Sequence, residues 1–192
     1  MSCSARLPAI AAAATAMLAL AGCGGGAIGA DTPASSGQSF VGSSYSSTVF
    51  RAGARPTAPD ISGTTLTGQH LSLSADRGSV VVINFWGSWC APCRKEAADL
   101  QSVHAATENA GVKFVGVNIR DEQDPANAYD QAHDITYPSI FDPSGRVALQ
   151  FAQVPPSAIP STLVIDSTGH IAAIHLGSTT AKQLTDMITA AS

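Results

Sequence analysis

Charge is scarce in this chain, at 12% of 192 residues, and what there is carries a formal net charge of -4. The ten basic residues are dispersed rather than gathered on one stripe. Nucleic-acid binding therefore has no electrostatic footprint, and no nucleic-acid partner is expected. Cysteine is also scarce, with four residues at 3, 23, 90 and 93, and the five histidines at 70, 104, 133, 170 and 175 are scattered. A closed zinc site wants four ligands, and neither a second CXXC nor an HXXXH is present. There is no CXXCH either, which excludes a c-type cytochrome. Internal repeats are absent, and the longest apolar run, 7–20, is short of the roughly 20 residues of a membrane span and dissolves into Gly24-Gly25-Gly26.

That run has a different reading. Arg6 is its only charge, and it closes as Leu20-Ala21-Gly22-Cys23. The pattern is that of an export signal, and its ending resembles a bacterial lipobox, in which the cysteine is lipid-modified and begins the mature chain. The expectation is a lipoprotein signal over 1–22, lipidation at Cys23 and an extracytoplasmic protein anchored to the cell membrane. Loss of Arg6 with the signal takes the net charge from -4 to -5. Residues 23–58 are rich in Gly, Ser, Ala and Thr with little periodicity and read as a flexible tether, an extra strand within 40–50 being the alternative. Residues 59–192 then form the folded domain.

With Cys3 removed and Cys23 acylated, Cys90 and Cys93 are the only thiols left, so no structural disulfide framework is available. They stand in Trp86-Gly-Ser-Trp-Cys-Ala-Pro-Cys-Arg-Lys-Glu96, where an apolar, β-branched strand at 79–85 gives way to a helix expected over 91–109. At a helix N-terminus the unpaired N–H groups and the macrodipole favour negative charge and lower a thiol pKa. Thiolate is the form that attacks disulfides. Cys93, one turn inside, can close a small ring with Cys90, and Pro92 occupies the first turn, where no intrahelical bond is lost. An oxidising compartment suits such a dithiol.

On the following helix, 100° per residue places Cys93, Glu96, Leu100, Val103 and Thr107 in one arc of about 80°. Glu96 is thereby directed inward with no cation three or four residues away, a setting that raises a carboxyl pKa and suits proton exchange with the thiols. A solvated surface glutamate is the alternative. His104 lies on the same side and reads as a packed histidine, Arg94 and Lys95 as solvated charge, and Trp86 as core. Trp89, next to Cys90, is placed to shield the thiol and offer an apolar contact to a partner chain. Pro160, in Ile159-Pro160-Ser161-Thr162, stands at the mouth of a β run, where a trans proline is the plainer reading of the residues alone.

Turn residues and apolar runs alternate from Ile61 onward as expected for an α/β sheet. The reading is a hairpin over 61–73 turning near Thr67-Gly68, a core strand over 112–119, and a helix opened by Asp124-Pro125 and running to 133 or 134. A brief strand at 139–141, a turn at 142–145 and a short helix over 146–152 follow. Strands at 161–166 and 170–176 pair as an antiparallel hairpin, and a last helix spans 180–190.

Taken together, NFWGSWCAPCRKE and IPSTLVIDSTGHI resemble the TlpA/ResA/DsbE group of extracytoplasmic thioredoxin-like proteins over about 59–192. The resemblance implies a thioredoxin fold, a central mixed sheet flanked by helices, with an N-terminal β-hairpin and a central βα insertion around 121–146. It makes Cys90 the attacking thiol, Cys93 the resolving thiol, Glu96 the buried acid and Pro160 a cis proline opposite them, with substrate backbone pairing at Ile159. Two features depart from the pattern. Glu96 is followed by Ala97-Ala98 where the group commonly has a proline, and Pro155-Pro156-Ser157-Ala158 lengthens the approach to Pro160.

The expected activity is thiol–disulfide exchange with exported or membrane-bound proteins, with no cofactor and, for a reductant, a membrane thiol reductase as electron donor. Reduction of apocytochrome c and oxidation of exported proteins are both open to the group. A copper-binding chaperone using Cys90 and Cys93 with His170 or His175 is the rival from another class, although copper chaperones of this fold resemble CXXXC rather than CXXC.

Overall fold

Val81–Trp86 forms the strand expected before the thiols, and all six of its residues are buried. It is β4 of a computed structural model that describes residues 46–152 and 158–192. The other strands of its sheet are β1 (Ser46–Val49), β5 (Lys113–Ile119), β6 (Ser139–Asp142), β7 (Ser161–Ile165) and β8 (Ile171–Leu176). Their order is β1-β8-β7-β4-β5-β6. β4 runs parallel to β5 and β5 to β6, whereas β7 is antiparallel to both β4 and β8. The mixed sheet of the thioredoxin fold is thus present. A separate hairpin, β2 (Ser62–Thr64) and β3 (His70–Ser72), turns through Gly68 at φ 81°, where a side chain would be strained.

Strand alternation divides the interior. Odd positions of β4 and β5, such as Ile83, Phe85, Val115 and Val117, pack with Ile61, Leu73 and Phe151, which belong to the hairpin region and to short 3₁₀ segments. Even positions such as Val82 and Phe114 pack with α1 (Ala91–Thr107) and α3 (Ala181–Ala191). α2 (Gln123–Ala132) brings Ala126 and Tyr129 against Trp86 and the two cysteines. With β6, α2 occupies the central insertion expected around 121–146.

Three expectations need correction. A tether over 23–58 does not hold from Ser46 onward, because β1 pairs with β8 from Ser46↔Leu176 to Val49↔Ala173. An edge strand can be held by backbone bonds with little side-chain burial, and three residues of β1 are half-buried and one exposed, so no apolar alternation marks it. α2 begins at Gln123 after Glu122 rather than at Asp124; the Asp121 carboxylate accepts the Glu122 N–H at 2.9 Å, and Pro125 still falls in the first turn. The helix expected over 146–152 is only a 3₁₀ turn at Ala148–Gln150. The Asp142 carboxylate accepts the N–H groups of Arg146 at 2.9 Å and Val147 at 2.7 Å and so caps the chain leading into this turn. Asp142→Ala strands these donors next to the core, and the expected loss is about 2–4 kcal/mol, read as a lower urea midpoint at unchanged slope. Residues 1–45, with the signal and Cys23, lie outside the described residues, as do 153–157, with Pro155 and Pro156.

Candidate active site

β4 ends at Trp86, and the turn that follows delivers Cys90 to the N-cap of α1. The Cys93 N–H donates to Cys90 Sγ at 3.1 Å, so a free donor of the first helical turn points at the sulfur. The two cysteines are joined, with S–S 2.00 Å and Cα–Cα 5.3 Å. Cys93 is wholly enclosed, and Cys90 is buried as well but keeps 4% of its surface exposed, next to Trp89, which is 53% exposed.

The turn is braced in ways that a linear reading misses. Asp121, just past β5, accepts from the Ser88 N–H at 2.6 Å and the Ser88 hydroxyl at 2.7 Å, and Asn118 donates to it at 2.8 Å. Burial acts to raise the Asp121 pKa, but the Ser88 and Asn118 donors outweigh it and hold the carboxyl below its ordinary value. Trp89 Nε1 donates to the Arg120 carbonyl at 3.0 Å. The indole lies over Gly87, where a Cβ would come within 2.7 Å of the ring. Arg94 is exposed, and its guanidinium reaches back to the Ser88 carbonyl at 2.6 Å.

Glu96 is buried, 1% exposed, one turn after Cys93. The solvated alternative does not hold. Asn84 of β4 donates to Oε1 at 2.9 Å, and the Thr179 N–H donates to Oε2 at 2.7 Å. Desolvation dominates over these two bonds and pushes its pKa from 4.5 up to about 7. α1 runs unbroken through Ala97-Ala98. On the other side of Cys93, the Tyr129 hydroxyl donates to its carbonyl at 2.9 Å, and Trp86 stacks on Tyr129 with ring centroids 4.3 Å apart. Trp86 is core, as expected. His104 packs between Phe114 and Tyr137, at 5.1 and 5.4 Å.

The Ile159–Pro160 bond is cis, as the resemblance implies and the residues alone do not. Ile159 packs beside the cluster that contains both cysteines. Cys90, Cys93, Glu96, Trp89, Ile159 and Pro160 thus belong to the region around one end of β4 and β7. Copper ligation with His170 or His175 finds no support, since among the described residues no three His, Cys, Asp or Glu side chains converge as a metal site.

A family model described as AhpC/TSA matches residues 55–174, well over half of the chain. The chain belongs to the AhpC/TSA family. Its relatives include the thiol–disulfide oxidoreductase ResA of Geobacillus kaustophilus, 31% identical over 128 residues that cover 67% of this chain and 72% of that one. Among solved structures, a DsbF homologue from Corynebacterium diphtheriae is 39% identical with TM-score 0.70, covering 74% of this chain and 91% of that chain. A secreted thiol–disulfide isomerase from Corynebacterium glutamicum is 35% identical with TM-score 0.71, covering 74% and 92%. These relatives agree with the resemblance to the TlpA/ResA/DsbE group. With its Cys-X-X-Cys pair, this member of the family is a thiol–disulfide oxidoreductase.

Proposed function

We propose that the protein is an extracytoplasmic reductant of disulfides in exported or membrane-bound proteins, held at the cell membrane by a lipid on Cys23. Its site starts as a dithiol. The Cys90 thiolate attacks a partner disulfide, the Cys90–partner bond forms, and the partner's own S–S bond breaks with release of one partner thiolate that takes up a proton. Cys93 then loses its proton to the Glu96 carboxylate and attacks Cys90. The partner's second sulfur leaves as a thiolate, and the Cys90–Cys93 disulfide remains, two electrons having passed to the partner. A membrane thiol reductase returns the electrons, and apocytochrome c is a candidate partner. Trp89, Ile159 and Pro160 form the surface on which the partner backbone lies.

The observation that carries the exchange mechanism is the enclosed Glu96, one turn after Cys93 and 1% exposed, whose pKa of about 7 lets it both accept and return a proton near neutrality. The secreted isomerase among the solved relatives supports the compartment. Direction is tested by equilibrating the chain against glutathione and dithiothreitol buffers. A potential well below about -220 mV is expected, and a value near about -120 mV would instead make the protein an oxidant. Anchoring is tested with Cys23→Ala, which should move the expressed protein from the membrane to the soluble fraction.

A further inference from the structure

Polar side chains are rare in this interior, yet several stand in one row across the sheet. Register sets Asn84 of β4 beside Thr162 of β7, Thr162 beside His175 of β8, and His175 beside Ser47 of β1. Asn84, Thr162 and His175 are all buried. Such a row weakens a core unless its members are satisfied, and here it is built around the active-site acid. At one end Asn84 Nδ2 donates to both Glu96 Oε1, at 2.9 Å, and Thr162 Oγ1, at 3.1 Å.

His175 reaches the same carboxylate by another route. Its Nε2 lies 3.1 Å from the Ser178 carbonyl, which can only accept, so that nitrogen carries a proton. Its Nδ1 lies 2.6 Å from the Ser47 hydroxyl, which donates to it when the ring is neutral. The ring therefore ties the N-terminal edge strand to the loop after β8. In that loop Gly177 has φ 105°, a conformation that lets the chain turn back toward α1. The Ser178 hydroxyl donates to the Pro92 carbonyl at 3.1 Å, and the next residue, Thr179, gives its N–H to Glu96 Oε2 at 2.7 Å.

We propose that His175 is a positioning residue for Glu96: by holding the Ser178 carbonyl it aims the Thr179 N–H at the carboxylate, and Ser47 of β1 fixes the ring. The strand that precedes the hairpin is then part of the support of the redox site rather than a spacer. The functional importance of this support rests on the reading of Glu96 as the group that handles the proton. The other ionisable groups that act on or are acted on by Glu96 are Asp99 on the same helix, Tyr129 of α2 and Tyr137 after it, and the variants below leave all of them in place.

The test is a titration of the Glu96 side-chain carboxyl by carbon NMR in the full oxidised chain, its resonance being assigned by its loss in Glu96→Gln. A bond to the ionised form lowers an acid's pKa, so loosening the Thr179 N–H raises it. His175→Leu is expected to move the Glu96 midpoint up by about one unit, a tenfold change in the ionised fraction. His175→Gln, which keeps an N–H donor for Ser178, should return it toward the wild-type value. Ser47→Ala should move it in the same direction by less. An unmoved midpoint in both His175→Leu and Ser47→Ala overturns the proposal; if His175→Leu does not fold, Ser47→Ala decides alone. The catalytic reading is separable. If Glu96→Gln keeps the wild-type pH–rate profile while the His175 and Ser47 variants still shift the carboxyl, the positioning stands and the proton role of Glu96 falls.

Discussion

Cys93→Ala is expected to turn the protein into a trap that stays bound to its partner through Cys90. The attacking sulfur would be intact, with the N–H at the start of α1 still directed at it, but the enclosed sulfur that should expel the partner would be gone. Steady-state disulfide reduction should fall roughly a thousandfold or more, the scale on which removal of a covalent-step nucleophile acts. A mixed disulfide should accumulate, visible as a mass increase equal to the partner thiol and reversed by dithiothreitol. Cys90→Ala should lose turnover to the same degree without the adduct. The roles of the two sulfurs would be reversed if Cys90→Ala formed the adduct and Cys93→Ala did not. The geometry argues against that outcome because Cys93 is wholly enclosed, whereas Cys90 keeps 4% of its surface exposed and adjoins the exposed Trp89.

Glu96→Gln carries the second large effect, in two measurements with opposite signs. The rate of ring closure in the wild type should rise through an inflection near pH 7 as the carboxylate becomes available to take the Cys93 proton. Glutamine cannot take it. The inflection should vanish and the rate above pH 7 fall by about a hundredfold, within the range for loss of one acid–base group. An unchanged pH–rate profile would remove Glu96 from the mechanism.

Stability should move the other way. The folded pKa of Glu96 lies above the unfolded value, so between pH 4.5 and 7 the folded state keeps a proton that the unfolded chain has released. Stability is therefore lost as pH rises through that window and levels off above it. A shift from 4.5 to about 7 corresponds to about 3 kcal/mol. Glutamine titrates in neither state. Relative to the difference at pH 4, the variant should gain about 3 kcal/mol over the wild type by pH 8. Asp130, which burial also pushes up to about 7, adds to the slope of both proteins and cancels in the comparison. Parallel stability curves from urea unfolding would show that Glu96 is not titrating in this window.

Much of this site is legible in the linear chain because its chemistry is local. The spacing of Cys90, Cys93 and Glu96 along one helix follows from 3.6 residues per turn, and the apolar run before them marks β4. Trp86 and Trp89 could be separated into core and surface by their place in the turn. The strand at 46–49 was legible only as the alternative to a tether, because an edge pairing made by backbone groups asks little of side chains. The role of Asp142 was hidden for a related reason: it reads as a turn former, and only its position beside three following N–H groups shows what it holds.

The sequence by itself determined that a dithiol caps a helix, that a carboxyl one turn later points inward, and that the chain is an α/β domain. Each of these depends on short-range periodicity or on a run of adjacent residues. Tertiary structure decided how the carboxyl is held. Asn84, Thr162, His175, Ser47 and Thr179 lie up to 132 residues apart, from Ser47 to Thr179, and meet only because β1, β8, β7 and β4 stand side by side in one sheet. Such a row is set by register between strands, and register is a property of the assembled sheet that no local pattern carries.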